Sequence, residues 1–235
     1  QRETPPVKES ALYVLCAADR LNGFDLLGTA VTGKEEKMVN KALVLFASPH
    51  ADGPTHRLLD AFLSGLSPER WTVETRNVCK EPAAPCMACG YCKRADGCAL
   101  HDLDGFDAAL RESDLLVIAS PVYNLTFPAQ LKSVLDRFQR YFEARFERGV
   151  RPAIVKPRRA VLLLTMGRHD PLPVEICEKT LRQSFSVMNT HLTGTLCLPD
   201  TDGGIAAEHP IFEKARRMAI EIEAETCYNN LNLCD

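Results

Sequence analysis

The chain has 235 residues, of which 46% are hydrophobic and 25% are charged, and its formal net charge is −3. This length fits one large α/β domain, and the hydrophobic share is too high for an intrinsically disordered protein. The 28 basic residues do not outnumber the 31 acidic ones, so neither nucleic acid nor a membrane surface is an expected partner. The longest uncharged apolar runs are only as long as a β-strand, so no membrane span is expected.

From residue 41 onward, short apolar runs alternate with longer amphipathic segments. The apolar runs predict strands, and apolar side chains spaced near the helical period predict helices between them. In chain order the sequence predicts strand 41–47, helix 54–66, strand 71–78, loop 79–103, helix 104–112, strand 114–120, helix 128–147, strand 159–165, helix 174–189, strand 192–198 and helix 206–226.

Five strand–helix units of this kind predict an α/β fold. Continuously apolar strands are typical of a parallel sheet that is covered by helices on both faces. We therefore expect a three-layer sandwich whose five-stranded parallel sheet has the flavodoxin-like order 2-1-3-4-5, in residues 38–235. Residues 1–37 are expected to be an N-terminal extension, either loosely attached or contributing one edge strand. Ligands of such sheets bind beyond the carboxyl ends of the strands, here after residues 47, 120 and 165.

The segment after the first predicted strand has features of an anion site. Ser48 and Thr55 supply hydroxyl groups, Gly53 supplies a flexible turn, and a helix N-terminus follows. Backbone N–H groups at a helix N-terminus attract phosphate. The spacing matches neither the Walker loop nor a GxGxxG turn, so a monophosphate held by hydroxyls and amides is one interpretation. The other is an ordinary strand–helix turn in which Ser and Thr act as caps.

Two further segments follow predicted strands at the same edge of the sheet. The first runs from Pro121 to Pro128 and carries Tyr123, Asn124 and a threonine. An aromatic face beside an amide and a hydroxyl suits a planar heteroaromatic ring, although a buried Tyr in an apolar loop is the alternative. The second begins at Thr165. One phosphate-like loop and two loops suited to a ring together indicate flavin mononucleotide (FMN).

Three blocks of sequence resemble the flavodoxin-like NAD(P)H-dependent FMN reductases, and more closely their iron–sulfur flavoprotein branch. These blocks are LFASPHADGPTHRLLDAFL, PCMACGYCKRADGCALHDLDGFDAAL and LLVIASPVYNLTFPAQLKSVLDRF. The resemblance covers about residues 40–226. It implies FMN-binding residues at Ser48, His50, Gly53, Pro54, Thr55, Pro121, Val122, Tyr123, Asn124, Thr165 and Gly167. The family often has Arg at position 50 and Asn at position 54; both departures weaken capture of the phosphate by side chains, for which backbone amides can compensate.

Four of the ten cysteines crowd into one segment with the spacing C-x2-C-x2-C-x5-C, at Cys86, Cys89, Cys92 and Cys98. Such crowding favours thiolate ligation in a reducing compartment, so we expect the cytoplasm. Three thiolates at two-residue gaps can surround one face of an iron–sulfur cubane, and a fourth can close it. The resemblance implies that these four ligate a [4Fe–4S] cluster. A structural zinc and a metal-free thiol loop beside the flavin are the alternatives.

The resemblance implies an oxidoreductase that passes electrons from NAD(P)H through FMN to a small-molecule or protein acceptor, and a homodimer as the assembly. Because the flavin carries the redox chemistry, no side chain is assigned as a catalytic acid or base. Two alternatives belong to other classes of protein. One is a non-enzymatic electron carrier that uses FMN and a cluster, and the other is a zinc-stabilised binding module without a redox role.

Overall fold

The computed structural model describes residues 39–231, so the expected N-terminal extension, residues 1–37, lies outside the described residues. The strands are β1 Asn40–Phe46, β2 Trp71–Asn77, β3 Leu115–Pro121, β4 Arg158–Thr165 and β5 Thr190–Leu198. The helices are α1 Pro54–Leu63, α2 Tyr91–Arg94, α3 Asp104–Glu112, α4 Ala129–Asp136, α5 Gln139–Phe146, α6 Pro171–Phe185 and α7 Pro210–Leu231. Short 3-10 turns lie at His101–Leu103 and Thr201–Gly203.

The strands form one parallel sheet in the order β2-β1-β3-β4-β5, which confirms the predicted fold class and strand order. β3 lies at the centre because its continuous apolar run is buried on both faces. β2 lies at one edge, and most of its residues are exposed. In β5 the pairing with β4 shifts register between Ala160 and Val161, which marks a bulge near the opposite edge.

Alternate residues of each strand point to opposite faces of the sheet and build two cores. Leu43 and Leu45 of β1 pack into the core that α3, α4, α5 and α6 cover. Val44 and Phe46 pack into the other core, which α1 and α7 cover. The molecule is therefore a three-layer sandwich with helices on both faces of the sheet. Among the described residues, no helix is long and apolar enough to cross a membrane.

The predicted helix 128–147 is wrong in one respect, because the structure divides it into α4 and α5. The N–H groups of Arg137 and Phe138 donate to carbonyls only three residues earlier, at 3.1 and 3.0 Å. Such tight turns end an α-helix. Both side chains are buried, so the break directs Arg137 and Phe138 inward. The helical spacing of apolar side chains continues across the break, and this is why the sequence pattern alone predicts a single helix.

Other boundaries shift for local reasons. α6 begins at Pro171 because the carboxylate of Asp170 accepts a hydrogen bond from the Leu172 N–H at 2.9 Å and caps the helix. α7 begins at Pro210, four residues later than predicted. The predicted loop 79–103 contains the single-turn helix α2 and a 3-10 turn. None of these changes alters the sheet.

Asp107 is the centre of a charged network between α3 and α5. Its carboxylate accepts hydrogen bonds from Arg111 Nε at 2.9 Å and from the Tyr141 hydroxyl, and it pairs with Arg140. Burial opposes the charge of Asp107, but the Tyr141 hydroxyl and the two guanidinium groups outweigh it and lower the pKa of this carboxyl.

Replacing Asp107 with Asn should therefore destabilise the protein in a pH-dependent way. At pH 7 the free energy of unfolding should fall by about 3–5 kcal/mol, because the buried Arg140 and the half-buried Arg111 lose their counter-charge. Because the folded pKa lies below the unfolded value of about 3.9, the stabilisation is complete above that value and is lost as the pH falls through the folded pKa. Chemical denaturation at pH 7 and pH 3 measures both effects.

Glu213→Gln is the control for this experiment. Glu213 pairs with Arg217 on the exposed side of α7, so its loss should cost less than about 1 kcal/mol at either pH. An Asp107→Asn protein that is equally destabilised at both pH values would contradict the role given to the Asp107 charge.

Candidate functional site

The loops that follow β1, β3 and β4 begin side by side, because β3 lies between the other two strands. The Ala47 N–H donates to the Ala119 carbonyl at 2.9 Å and ties the end of β1 to β3. The Val122 N–H donates to the Thr165 carbonyl at 2.8 Å and ties the end of β3 to β4. The three loops that the sequence singles out are therefore neighbours at the carboxyl edge of the sheet.

The first loop leads directly into the N-terminus of α1. Gly53 is the N-cap and Pro54 is the first helical residue. Within the described residues, no side chain caps this helix N-terminus, and its first turn contains no acidic residue. The free N–H groups and the positive end of the helix dipole therefore remain available to an anion. A Cβ on Gly53 would lie only 3.1 Å from the His50 Cβ, so Gly53 allows this tight turn.

Two hydroxyl groups lie beneath this turn. Ser48 and Thr55 are almost completely buried, at 4% and 2% exposure. The Ser48 Oγ accepts a hydrogen bond from the His50 N–H at 3.2 Å and so shapes the loop. His50 itself is exposed. The polar groups that the sequence predicts for a phosphate are therefore brought together, with the hydroxyls inside and the imidazole at the surface.

Thr55 also joins the first loop to the third. Its Oγ1 lies 2.7 Å from the Thr165 Oγ1, and this buried hydrogen bond joins two residues that are 110 positions apart in the sequence. Each hydroxyl has one proton to donate. Because the pair uses one proton, the other hydroxyl remains able to donate to a bound anion. This contact links the predicted phosphate site to the end of β4.

The second loop has a fixed and unusual backbone. The N–H of Tyr123 donates to the Thr126 carbonyl at 2.9 Å, and the N–H of Thr126 donates back to Tyr123 at 3.0 Å. Asn124 and Leu125 between them have positive φ angles of 49° and 69°, which is the pattern of a type I′ turn. Tyr123 and Leu125 are each 46% exposed. The turn therefore presents an aromatic ring and an apolar side chain at the edge of the sheet.

Ser120, at the end of β3 just before this loop, is a residue that the sequence analysis missed. Its side chain is fully buried, and its Oγ donates to the Pro121 carbonyl at 2.7 Å. This bond orients the peptide at which β3 ends, just before Val122 and Tyr123. A serine at the end of an apolar strand is the signal in the sequence that points to it.

The third loop is packed too tightly to hold a side chain at Gly167. A Cβ there would lie 2.3 Å from the Asp202 carboxylate. The Met166 N–H donates to the Leu198 carbonyl at 3.0 Å, and the Thr201 N–H donates to the Met166 carbonyl at 3.1 Å. Asp202 therefore lies against the predicted site from the segment after β5. No motif in the sequence marks it.

The four cysteines line one cavity of about 460 Å³ on the side of α4 and α5. Cys86 and Cys89 are exposed, whereas Cys92 and Cys98 are half-buried. Gln139 and Glu143 of α5 form part of the opposite wall, and they are joined by a hydrogen bond of 2.8 Å. Cys79, Cys177 and Cys197 lie elsewhere in the fold. The structure thus brings the four cysteines of the motif to a common cavity.

Among the side chains that the structure describes, no three from His, Cys, Asp and Glu are positioned to hold one metal ion. Burial and then the charge of Glu143 raise the pKa of Cys92, so this thiol is protonated at neutral pH. Binding of a metal centre would release that proton.

Comparisons with known proteins agree with this fold. A family model described as flavodoxin-like fold matches residues 40–222. An iron–sulfur flavoprotein of Archaeoglobus fulgidus is 33% identical over 102 residues, which are 43% of this chain and 46% of that protein. An iron–sulfur flavoprotein of Methanosarcina thermophila is 33% identical over 91 residues, 38% of this chain and 48% of the relative. The chain therefore spans about half the length of these curated relatives.

Two solved structures share the architecture. An NAD(P)H:quinone oxidoreductase from Methanothermobacter marburgensis has a TM-score of 0.64 at 18% identity, covering 79% of this chain and 96% of that one. An azoreductase from Bacillus anthracis has a TM-score of 0.56 at 16% identity, covering 78% and 98%. At these identities the likeness concerns the fold. Together with the matched family model and the observed strand order, it establishes that the chain belongs to the flavodoxin-like fold family.

Proposed function

We propose that this protein is an oxidoreductase that passes electrons from NAD(P)H through FMN to an acceptor. The observation that carries the proposal is the convergence of three loops at one sheet edge, joined by the buried contact between Thr55 and Thr165. They combine an uncapped helix N-terminus with an exposed aromatic side chain, Tyr123. This donor set fits a ligand that has a phosphate at one end and a planar ring at the other. FMN, when bound, supplies the hydride and electron chemistry.

The residues around FMN would bind and orient it. The N–H groups at the start of α1 and the Thr55 hydroxyl would hold the phosphate, with Ser48 shaping the loop around it. Tyr123 and Leu125 would provide apolar contact to the ring. Gly167 lets the Asp202 carboxylate pack directly against the third loop, where a Cβ would clash with it. Val122 donates its N–H to the Thr165 carbonyl and Asn124 has a positive φ angle, and the segment from Pro121 to Asn124 would lie beside the ring.

We propose further that Cys86, Cys89, Cys92 and Cys98 hold a [4Fe–4S] cluster. Four thiols on one cavity are the donor set such clusters use. The names of two curated relatives, iron–sulfur flavoproteins, support this assignment. When bound, the cluster would exchange single electrons, which suits a protein acceptor. A third relative supports a quinone as the acceptor instead: an FMN-dependent NADH:quinone oxidoreductase from Pectobacterium atrosepticum is 35% identical over 86 residues. We also retain a homodimer as the assembly and the cytoplasm as the compartment.

An absorption spectrum of anaerobically purified protein, with iron and zinc determined on the same sample, tests these assignments. We expect flavin bands, a broad shoulder in the visible range and about four irons per chain. Addition of NADH or NADPH should bleach the flavin bands, and sedimentation of the same sample should give the mass of a dimer. A protein that binds no flavin even with excess FMN would overturn the proposal.

Two other outcomes separate the alternatives. Flavin that is reduced by dithionite but not by NADH or NADPH would make the protein an electron carrier instead of an enzyme. Zinc in place of iron, without flavin, would make it a binding module that metal stabilises. Flavin without any metal would leave the oxidoreductase proposal intact and remove the cluster from it.

A further inference from the structure

The segment that carries the four cysteines is closed at its base by one buried arginine. Arg137 Nη1 donates to the Ala84 carbonyl at 3.2 Å and to Asp102 Oδ1 at 2.6 Å. Its Nη2 donates to the Leu100 carbonyl at 2.6 Å. Ala84 precedes the first cysteine of the motif, and Leu100 and Asp102 follow the last. One guanidinium group therefore holds both ends of the cysteine loop, which we define as residues 84–102.

Asp102 completes this closure. Its Oδ2 accepts a hydrogen bond from the Ala84 N–H at 2.8 Å while its Oδ1 receives Arg137. Burial opposes the charge on Asp102, but the Ala84 N–H and the Arg137 guanidinium outweigh it and lower the pKa of this carboxyl. The carboxylate is therefore charged at neutral pH, and the ion pair with Arg137 is intact. Two residues outside the cysteine motif thus bring its ends together.

The position of Arg137 follows from the break between α4 and α5. Its side chain is only 1% exposed, and a buried charge is costly unless it is fully paired. Every partner of its two Nη atoms among the described residues belongs to the cysteine loop. The two Nη atoms are therefore paired with the loop and not with the helices, and the buried Nε has no hydrogen-bond partner among the described residues.

A second contact holds the far part of the loop. Asp96, between the third and fourth cysteines, pairs with Arg148 at 2.9 Å and lies 3.9 Å from Arg111. The short helix α2, which includes Cys92, packs against α5. Arg137 thus anchors the loop where its two ends meet, and Arg148 anchors it at Asp96. Both anchors are made by protein groups alone.

We propose that Arg137 is a positioning residue for the four cysteines. By closing the base of the cysteine loop, its guanidinium holds the thiols on one cavity wall before any metal centre is bound. The closure is a property of the polypeptide. Only its consequence for iron binding rests on the proposed cluster.

Limited proteolysis of the metal-free protein with trypsin tests the closure directly. Lys93 and Arg94 are exposed within the loop, and Lys214 and Arg217 are exposed on α7. In Arg137→Met protein we expect cleavage after 93 or 94 to become at least tenfold faster, with cleavage on α7 unchanged. Mass spectrometry of the fragments gives both rates. A merely structural role would accelerate cleavage at both places equally.

Two further variants and a control sharpen the experiment. Arg137→Lys keeps the charge but loses the planar fork that reaches three partners, so its loop should be cleaved at an intermediate rate. Asp102→Asn changes a partly exposed side chain and should also open the loop, which keeps the test usable if Arg137→Met does not fold. Arg217→Met removes an exposed guanidinium and should leave loop cleavage unchanged.

Iron content after anaerobic reconstitution separates this inference from the proposed cluster. If wild-type protein takes up iron, Arg137→Met should retain less than a quarter of it. If wild-type protein takes up no iron but the variant loop is cleaved faster, the cluster proposal fails and the positioning role stands. If the variants show wild-type loop cleavage, or the same acceleration on α7, the positioning role is overturned.

Discussion

Replacing Cys92 with Ser should reduce the iron content from about four per chain to nearly none while FMN remains bound. Cys92 is half-buried in α2, within the cavity that the other three cysteines line. Iron–sulfur clusters are held by thiolates, and a serine hydroxyl does not ionise at neutral pH as a thiol near a metal does. The FMN loops lie on a separate part of the chain, so the flavin spectrum should persist. Iron and flavin determined on one anaerobic sample give both numbers.

Cys79→Ser is the matched control for this variant. Cys79 is also half-buried and lies just upstream of the cysteine loop, and burial raises the pKa of its thiol. The Cys79→Ser protein should retain the iron content of the wild-type protein. Iron that stays at full stoichiometry in Cys92→Ser protein would show that the ligands are assigned wrongly. Equal loss of iron in both variants would show that the effect is not specific to the motif.

Replacing Thr55 with Val should weaken FMN binding by about 1.5–3 kcal/mol, the worth of a hydrogen bond to a charged group. This is a rise in Kd of roughly 10- to 150-fold. Valine has nearly the same shape as threonine, so the fold of α1 should survive. The physical reason is that the Thr55 hydroxyl lies at the uncapped N-terminus of α1 and is buried against Thr165. Fluorescence titration of the apoprotein with FMN measures the change.

Two variants separate the phosphate contact from its surroundings. Thr165→Val removes the same hydroxyl–hydroxyl bond but leaves the Thr55 hydroxyl in place, so its Kd should rise less than that of Thr55→Val. Thr180→Val removes a hydroxyl bonded to the Ile176 carbonyl within α6 and should leave the Kd unchanged. Unaltered FMN affinity in Thr55→Val protein would remove the phosphate assignment from this loop.

The strands are determined by local patterns in the sequence, and their order is predicted from the way they alternate with helices. Runs such as the buried apolar β3 are long enough for a strand and bounded by turn residues. Their alternation with helices leaves few possible topologies, because the crossover connection between two parallel strands is almost always right-handed. The predicted order therefore agrees with the observed sheet. The same reasoning identifies the three loops after β1, β3 and β4.

The interruption between α4 and α5 shows where local reasoning ends. Apolar side chains keep the helical spacing through Arg137 and Phe138, yet both residues form tight turns there. At the break Phe138 is buried in the core and Arg137 pairs with the cysteine loop. The partners of Arg137 lie 35 to 53 residues away in sequence, so the spacing of apolar residues within the helix cannot predict them.

The sequence by itself determines the strands, the loops that follow them and the cysteine spacing, because each depends on neighbouring residues, and the alternation of strands with helices predicts the strand order. Only the tertiary structure shows that Thr55 meets Thr165, that Asp202 lies against Gly167 and that Arg137 closes the cysteine loop. These contacts join segments far apart in the chain. A hydrogen bond or ion pair depends on where the folded backbone places both partners, and a pattern in one segment carries no information about the other.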